Sequence, residues 1–429
     1  MYILIYILHF EPEDTLIHRI IILFLHILKP ENNNPLKTDN MKKYLLTLLL
    51  TVSLGMYGQN GKYDVAAYVW PAYHDEPRFQ NEMNIFHDGK GEWEAVYKAK
   101  PKYEGHRQPR VPLWGYLDEA SPKTQEKIIK TALKYGVNTF IFDWYWYEGR
   151  PFLESVLNDG FLKARNNRKM KFYLMWANHT HTAYINPDEP DKNKVYWKGE
   201  TSAEDFDRFT DHIIKDYFSQ PNYYTIDGKP VFAIYEVGTF VNGMGGMENA
   251  RKALDRFRDK CVKAGLKGVH LQAILWGALP TTLSGVPGDK TETQDNTVKY
   301  LGFESLTNYQ WCHFVPANQD YQSWGEQATA KYDEFSNGFS VPYFPHVSID
   351  WDNNPRFPGN NPQPAVTGVT PEKFENFLRV AKDFVDKHPN QVPLVTINAW
   401  NEWAEGSYLE PDTHFRYGFL EAVKKVFKK

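Results

Sequence analysis

Three observations on residues 63–429 predict an α/β fold and, within it, a single-domain (β/α)8 TIM barrel. Short apolar runs alternate with amphipathic helical stretches, and eight such runs can be counted. Polar and aromatic residues gather where the runs end. In such a barrel the C-terminal strand ends form the active-site face, so this last observation bears on function as well as fold.

Strand one is read at 65–70, ending in Trp70, Pro71, Tyr73 and His74. The polar, aromatic passage 75–120 follows as a substrate-side loop. Ser121-Pro122 opens a helix over 122–135, a cap residue followed by proline in the first turn. Strand two, 138–142, ends in Asp143, Trp144, Tyr145, Trp146 and Tyr147. A helix at 151–165 leads to strand three, 171–175, ending in Trp176, Ala177, Asn178 and His179. The stretch 203–218 places Phe206, Phe209, Ile213, Ile214 and Tyr217 on one helical face. Strand four, 230–235, ends in Glu236, and a helix at 247–264 precedes strand five, 268–275, ending in Trp276. Strand six has the weakest pattern, near 304–309, before Gln310, Trp311 and His313. A helix at 324–336 precedes strand seven, 343–349, which ends in Asp350, Trp351 and Asp352. A helix at 371–387 leads to strand eight, and 415–428 forms the closing helix. The stretches 280–297 and 353–366 read as long loops over the barrel mouth.

Strand eight (Leu394, Val395, Thr396, Ile397) runs into the densest cluster of the chain, where Asn401, Glu402 and Glu405 stand among Trp400, Trp403 and Tyr408, with Glu410 behind. Apolar surroundings raise a carboxyl pKa, and a second acid nearby drives the two values apart. One acid then stays protonated while its neighbour is ionised. Flat aromatic faces beside such acids suit a sugar ring. The plainer reading, in which Glu402 and Glu405 cap a following helix and pair with Arg416, leaves the two indoles unexplained. A mouth carrying Asp143, Glu236, Asp350, Asp352, Glu402 and Glu405 points to glycosidic-bond chemistry, which needs an acid for the leaving oxygen and a base or nucleophile at the sugar. Residues three apart on a helical turn lie about 5–6 Å apart at Cβ, near the 5–5.5 Å of retaining carboxylate pairs. Glu236 with Asp350 is the second candidate pair.

Composition narrows the function classes. The chain has 429 residues, 24% charged, with net charge −4, which argues against a nucleic-acid partner. Aromatic residues make up 16%, including 13 Trp and 27 Tyr, and they favour a carbohydrate partner. Cys261 and Cys312 share no metal-ligand spacing and are expected as free thiols. Met41 opens a secretory pattern over 41–58: Lys42 and Lys43, an apolar core at 45–54, then small residues to Gln59. Residues 1–40 then read as an upstream extension from a misplaced start, and 59–429 as the secreted or periplasmic barrel. A membrane-anchored N-terminus, aided by the apolar run 16–28, is the competing reading. No stable span is expected after signal removal, and the mature chain is expected to act as a monomer.

The segment WNEWAEGSYLEPD with HFRYGFLEAV downstream resembles the C-terminal signature of the WbsX-like group related to glycoside hydrolase family 99. The likeness extends to AAYVWPAYH on strand one, FIFDWYWYEG followed by FLE on strand two, and MWANHT, and so spans most of 63–429. It implies a secreted, retaining enzyme acting on α-linked, mannoside-like glycans without a metal or other cofactor. Carried over, Glu402 would deprotonate the sugar 2-hydroxyl and open a 1,2-anhydro route. Glu405 would be the general acid, then the base that activates water. Tyr68, Tyr73, Trp144, Trp146, Trp176, Asn178, Tyr235 and Trp351 are candidate walls of the sugar subsites. Asp143, His179, Glu236, Asp350, Asn401 and Trp403 complete the expected substrate-binding set.

Other classes stay open at this point. WbsX-like chains also carry a glycosyltransferase description, and Asp350-Trp-Asp352 has the D-x-D form that can hold a metal and a nucleotide sugar, or calcium. A barrel that binds glycans without catalysis would keep the same aromatics. His179 and His181 are two residues apart and lack an evident third ligand, so hydrogen bonding to sugar or plain packing fits them better than metal. Gly243, Gly245 and Gly246 make a flexible loop, since no Lys-Ser/Thr follows them.

Overall fold

The computed structural model describes residues 62–428, apart from 187–188, 277–278, 281–292 and 358. Eight parallel strands form a nearly closed barrel. In chain order they are β1 (Asp64–Val69), β2 (Thr139–Tyr147), β3 (Lys171–Trp176), β4 (Lys229–Ile234), β5 (His270–Ile274), β6 (Ser305–Thr307), β7 (His346–Ser348) and β8 (Leu394–Asn398). Each pairs with its neighbours in sequence from β1 to β6 and from β7 to β8, and β1 pairs with β8 (Val65 opposite Val395). A parallel bridge between Leu306 and Tyr343 joins the two remaining edges. The strands are buried along almost their whole length, as strands covered on both faces must be. This is the predicted (β/α)8 architecture.

Local chemistry explains where the helices begin and end; the stretch expected at 203–218 is α-helical over Ala203–Ile213 and π-helical over Ile214–Phe218. Helix Pro122–Tyr135 starts with proline in its first turn and stops at Gly136, whose φ of 96° suits a residue without Cβ. Thr370 accepts the Lys373 N–H at the start of Pro371–Lys387, and Ser202 accepts that of Asp205 before Ala203–Ile213. The closing helix is Gly418–Phe427.

Three expectations need correction. The helix expected at 151–165 begins instead as a strand: Arg150–Phe152 folds back antiparallel on Tyr145–Tyr147, and one π-helical turn follows at Val156–Phe161. The hairpin turn places Glu148 and Gly149 at φ 55° and 75°, the pair of positive values that matches strand twist. The hairpin carries β2 on to Tyr147, and the parallel ladder with β3 already takes in Asp143 (opposite Met175), which therefore sits within a strand and not at its end. The helix expected at 324–336 is two helices, Tyr321–Thr329 and Tyr332–Gly338. A helix at Gln294–Leu301, which begins inside the expected loop 280–297, links β5 to β6. No helix of the described residues is long and apolar enough to cross a membrane. The proposed signal at 41–58 and the extension 1–40 lie outside the described residues.

Candidate active site

Beyond β8 the chain makes a small hairpin, Asn401–Glu402 against Ser407–Tyr408, closed by a 3-10 turn at Trp403–Glu405. Gly406 returns the chain at φ 74°, and a Cβ there would lie 2.8–2.9 Å from the Arg110 guanidinium. Only glycine meets both conditions. The hairpin is held from behind. Trp403 stacks on Tyr408 with centroids 3.7 Å apart, and the indole N–H groups of Trp400 and Trp403 donate to the two oxygens of Glu410 at 3.1 and 2.9 Å. Asn401 exchanges two 2.8 Å hydrogen bonds with the Trp70 backbone and donates to Glu119. Tyr73 Oη accepts the backbone N–H of Trp403 at 2.9 Å. These contacts leave Glu402 and Glu405 at the turn.

Both acids open onto a cavity of about 560 Å³ at the C-terminal ends of the strands, lined also by Asp143, Tyr145, His179, His181, Tyr235, Glu236, Trp276, Tyr309, His313, Arg356 and Trp70. Their cationic partner is Arg356, from the loop after β7. Its guanidinium donates to Glu405 Oε1, to Glu402 Oε2 at 3.4 Å and to Glu92 at 2.7 and 3.2 Å. Glu92 also accepts the Trp70 indole N–H. Burial pushes the Glu402 carboxyl well above the usual range and the Glu405 charge adds to it, with Arg356 opposing. Burial raises Glu405 as well, again against Arg356. Oε2 of Glu405 and Oδ1 of Asp143 have no hydrogen-bond partner among the described residues. On the facing wall burial pushes His179 down to about 4 and His313 to about 3, and it lowers His181 too. At neutral pH these imidazoles are uncharged and can donate and accept at the same time.

Of the residues singled out by sequence, the structure brings Asp143, His179, Tyr235, Glu236, Glu402 and Glu405 together on the cavity wall. The others lie elsewhere. Along β2 side chains alternate, so Asp143 and Tyr145 face the cavity while Trp144 and Trp146 face outward and pack on Phe209. Trp176 likewise packs on Phe206, Phe209 and Phe240. Tyr68 is buried in the barrel interior, its hydroxyl donating to Asn308 O at 3.0 Å. Tyr73, Asn401 and Trp403 hold the hairpin, and Asn178 grips the backbone N–H and C=O of Glu236 at 2.8 Å each. Trp351 is half-buried against the core.

The D-x-D carboxylates are taken up by the protein itself. Asp350 accepts from Arg110 at 2.7 Å, while Asp352 pairs with His106 at 2.9 Å and Gln108 at 2.7 Å and also takes Arg110 and Asn354. Cys261 and Cys312 are both free. The cavity residues that the sequence reading did not single out as site residues include Trp70, Tyr145, His181, Trp276, Tyr309, His313 and Arg356. The period-two alternation of β2 was a signal for Tyr145. Arg356 and Glu92 sit on irregular loops that carry no such signal.

The family described as Glycosyltransferase WbsX matches residues 65–423. WxcX of Xanthomonas campestris pv. campestris (strain B100) is 25% identical over 382 residues, covering 85% of this chain and 50% of its own. The chain thus spans about half the length of the curated relatives it matches. Among solved structures, a family 99 endo-α-mannosidase from Bacteroides thetaiotaomicron superposes with a TM-score of 0.51 at 12% identity, covering 84% of this chain and 95% of that one. A glycoside hydrolase-like protein superposes with the same TM-score at 14% identity, over 86% and 95% of the two chains. At these identities the likeness is one of fold.

Proposed function

The chain belongs to the WbsX glycosyltransferase family, and from that premise we propose that it is a retaining glycoside hydrolase acting on α-linked, mannoside-like glycans. The observation that carries the reading is that one hairpin delivers Glu402 and Glu405 together to a single cavity of glycan-binding size. The shared fold with an endo-α-mannosidase supports it. In the proposed sequence Glu402 takes the 2-hydroxyl hydrogen while O2 attacks the anomeric carbon. Glu405 gives its proton to the departing glycosidic oxygen, and a 1,2-anhydro sugar results. Glu405 then takes a proton from water, which opens the ring at the anomeric carbon, and Glu402 returns its proton to O2. Two inversions give retention. Because the attacking oxygen belongs to the sugar, neither carboxylate has to reach the anomeric carbon itself, which suits two acids on one short turn. Met41 and the apolar stretch after it suggest that the enzyme works outside the cytoplasm, which a mature N-terminus near residue 59 would support.

The test is a panel of α-linked polysaccharides with product sizing and product stereochemistry. Glu405→Gln and Glu402→Gln are each expected to lower kcat by about 100-fold or more with the fold intact, the scale of acid–base catalysis. Full activity in either variant sinks the reading. The family's description favours transfer from a nucleotide sugar as the second reading. A donor-binding titration distinguishes it: sugar-nucleotide dependence supports transfer, and product release without a donor supports hydrolysis.

A further inference from the structure

One hydroxyl at the cavity stands between two acids. Tyr309 Oη lies 2.8 Å from Asp143 Oδ2 and 3.0 Å from Glu402 Oε1. A phenol has one hydrogen and can donate to one of these oxygens only. The other contact is a hydrogen bond only where the second carboxyl brings a hydrogen of its own. Two ionised carboxylates would set lone pairs against lone pairs in a buried site. A proton on one of the two acids makes hydrogen bonds of both contacts.

Their surroundings decide which. Glu402 lies 3.4 Å from the Arg356 guanidinium, with Glu405 and Glu92 on the same cation. The hydrogen-bond partner of Asp143 is Tyr309, its Oδ1 has none among the described residues, and the charge it meets is that of Glu405. The phenols of Tyr68, Tyr145 and Tyr235 complete its surroundings. Burial raises both carboxyls; the guanidinium charge pulls back on Glu402, whereas on Asp143 the opposing pull is a neutral phenol hydrogen bond from Tyr309, with the Glu405 charge adding to the rise.

We propose that Asp143 keeps a proton and donates it to Tyr309 Oη, which aims the Tyr309 hydrogen at Glu402 Oε1. Asp143 and Tyr309 are then positioning residues that hold Glu402 ionised and turned to accept a proton from the substrate. No bond is made or broken in this resting arrangement: each hydrogen stays on its own oxygen. The inference deepens the reading of Glu402 as the base and rests on it for its catalytic consequence, while the protonation pattern can be tested without substrate.

The first experiment is infrared difference spectroscopy of the full chain at neutral pH. Glu119 and Glu410 are raised by burial too and contribute carboxylic-acid C=O absorption common to every variant. In the spectrum of parent minus variant, a lost C=O component is expected for Asp143→Asn and none for Glu402→Gln. The reverse pattern, or no lost component in either, overturns the proposal, and this holds even for a chain that cleaves no glycan. The second is kinetic. Tyr309→Phe is expected to lower kcat by about 10–100-fold, the loss of a hydrogen bond to a charged group, with KM nearly unchanged and the acid limb of the pH profile moved upward. Asp143→Leu should behave likewise, while Asp143→Asn, whose amide still donates to Tyr309 Oη, loses less and moves the limb less. A merely structural role would reduce stability and leave the acid limb in place in all three, and that result overturns the proposal. So does an Asp143→Asn variant that is folded and worse than Asp143→Leu.

Discussion

The hairpin 401–408 and the loop bearing Arg356 both bring charge to the same cavity, and they do so in opposite ways. The hairpin fixes its acids from behind, through stacked rings, indole hydrogen bonds to Glu410 and the grip of Asn401 on Trp70. Arg356 is anchored mainly by what it meets, three carboxylates from two distant segments. Place and charge state are thus controlled separately. Buried aromatic packing resists displacement, whereas the guanidinium opposes the rise that burial gives Glu402 and Glu405.

The sharpest way to break that separation is Arg356→Met, which keeps the length of the side chain and removes the cation. Arg356 opposes the upward push of burial on both Glu402 and Glu405. Without it both carboxyls titrate at higher pH. On the hydrolase reading the acid limb, set by the base, and the alkaline limb, set by the acid, both move upward. At a pH on the acid limb, activity falls. A pH–rate profile checks this. Unmoved limbs with lowered stability would make Arg356 a latch with no hold on charge.

The same separation explains what was legible in the sequence. Strands bury a continuous apolar run, and helices repeat every 3.6 residues, so the barrel could be read from pattern alone. Glu402 and Glu405 were legible because the hairpin packs its own neighbours, Trp400, Trp403 and Tyr408, which lie within eight residues of each other in the sequence. Trp144, Trp146 and Trp176 have the large flat rings that suit subsite walls, yet they pack outward on Phe209 and its neighbours. A strand alternates faces, so the smaller Asp143 and its neighbour Tyr145 face inward in their place. Arg356, Glu92 and Tyr309 reach the site from two loops and the weakest strand pattern, and no periodicity relates Glu92 to a residue 264 positions away.

The second prediction works on place. Burial raises Glu410 from an ordinary 4.5 to about 7, against the two indole N–H groups. Its folded value lies above its unfolded one, so between pH 4.5 and 7 the folded chain binds more protons than the unfolded chain. Stability is therefore greatest at the acid end of that window and falls as pH rises through it. Glu410→Gln removes this contribution, of order 3 kcal/mol across the window. Denaturant melts at several pH values should show a shallower fall for the variant. An equal fall in both would mean that Glu410 takes no proton on folding.

Thr370→Ala should give the smallest effect. The Thr370 side chain accepts the Lys373 N–H at 3.3 Å at the start of helix Pro371–Lys387 and touches no part of the cavity wall. Losing such a cap costs about 1 kcal/mol. The expected result is a lower Tm with the pH–rate profile superimposable on that of the parent. A displaced profile would mean that the helix after β7 reaches the Arg356 loop mechanically, since both lie on the chain between β7 and β8. In that case charge state would depend on scaffold packing after all, and the separation of place from charge would fail at its weakest joint.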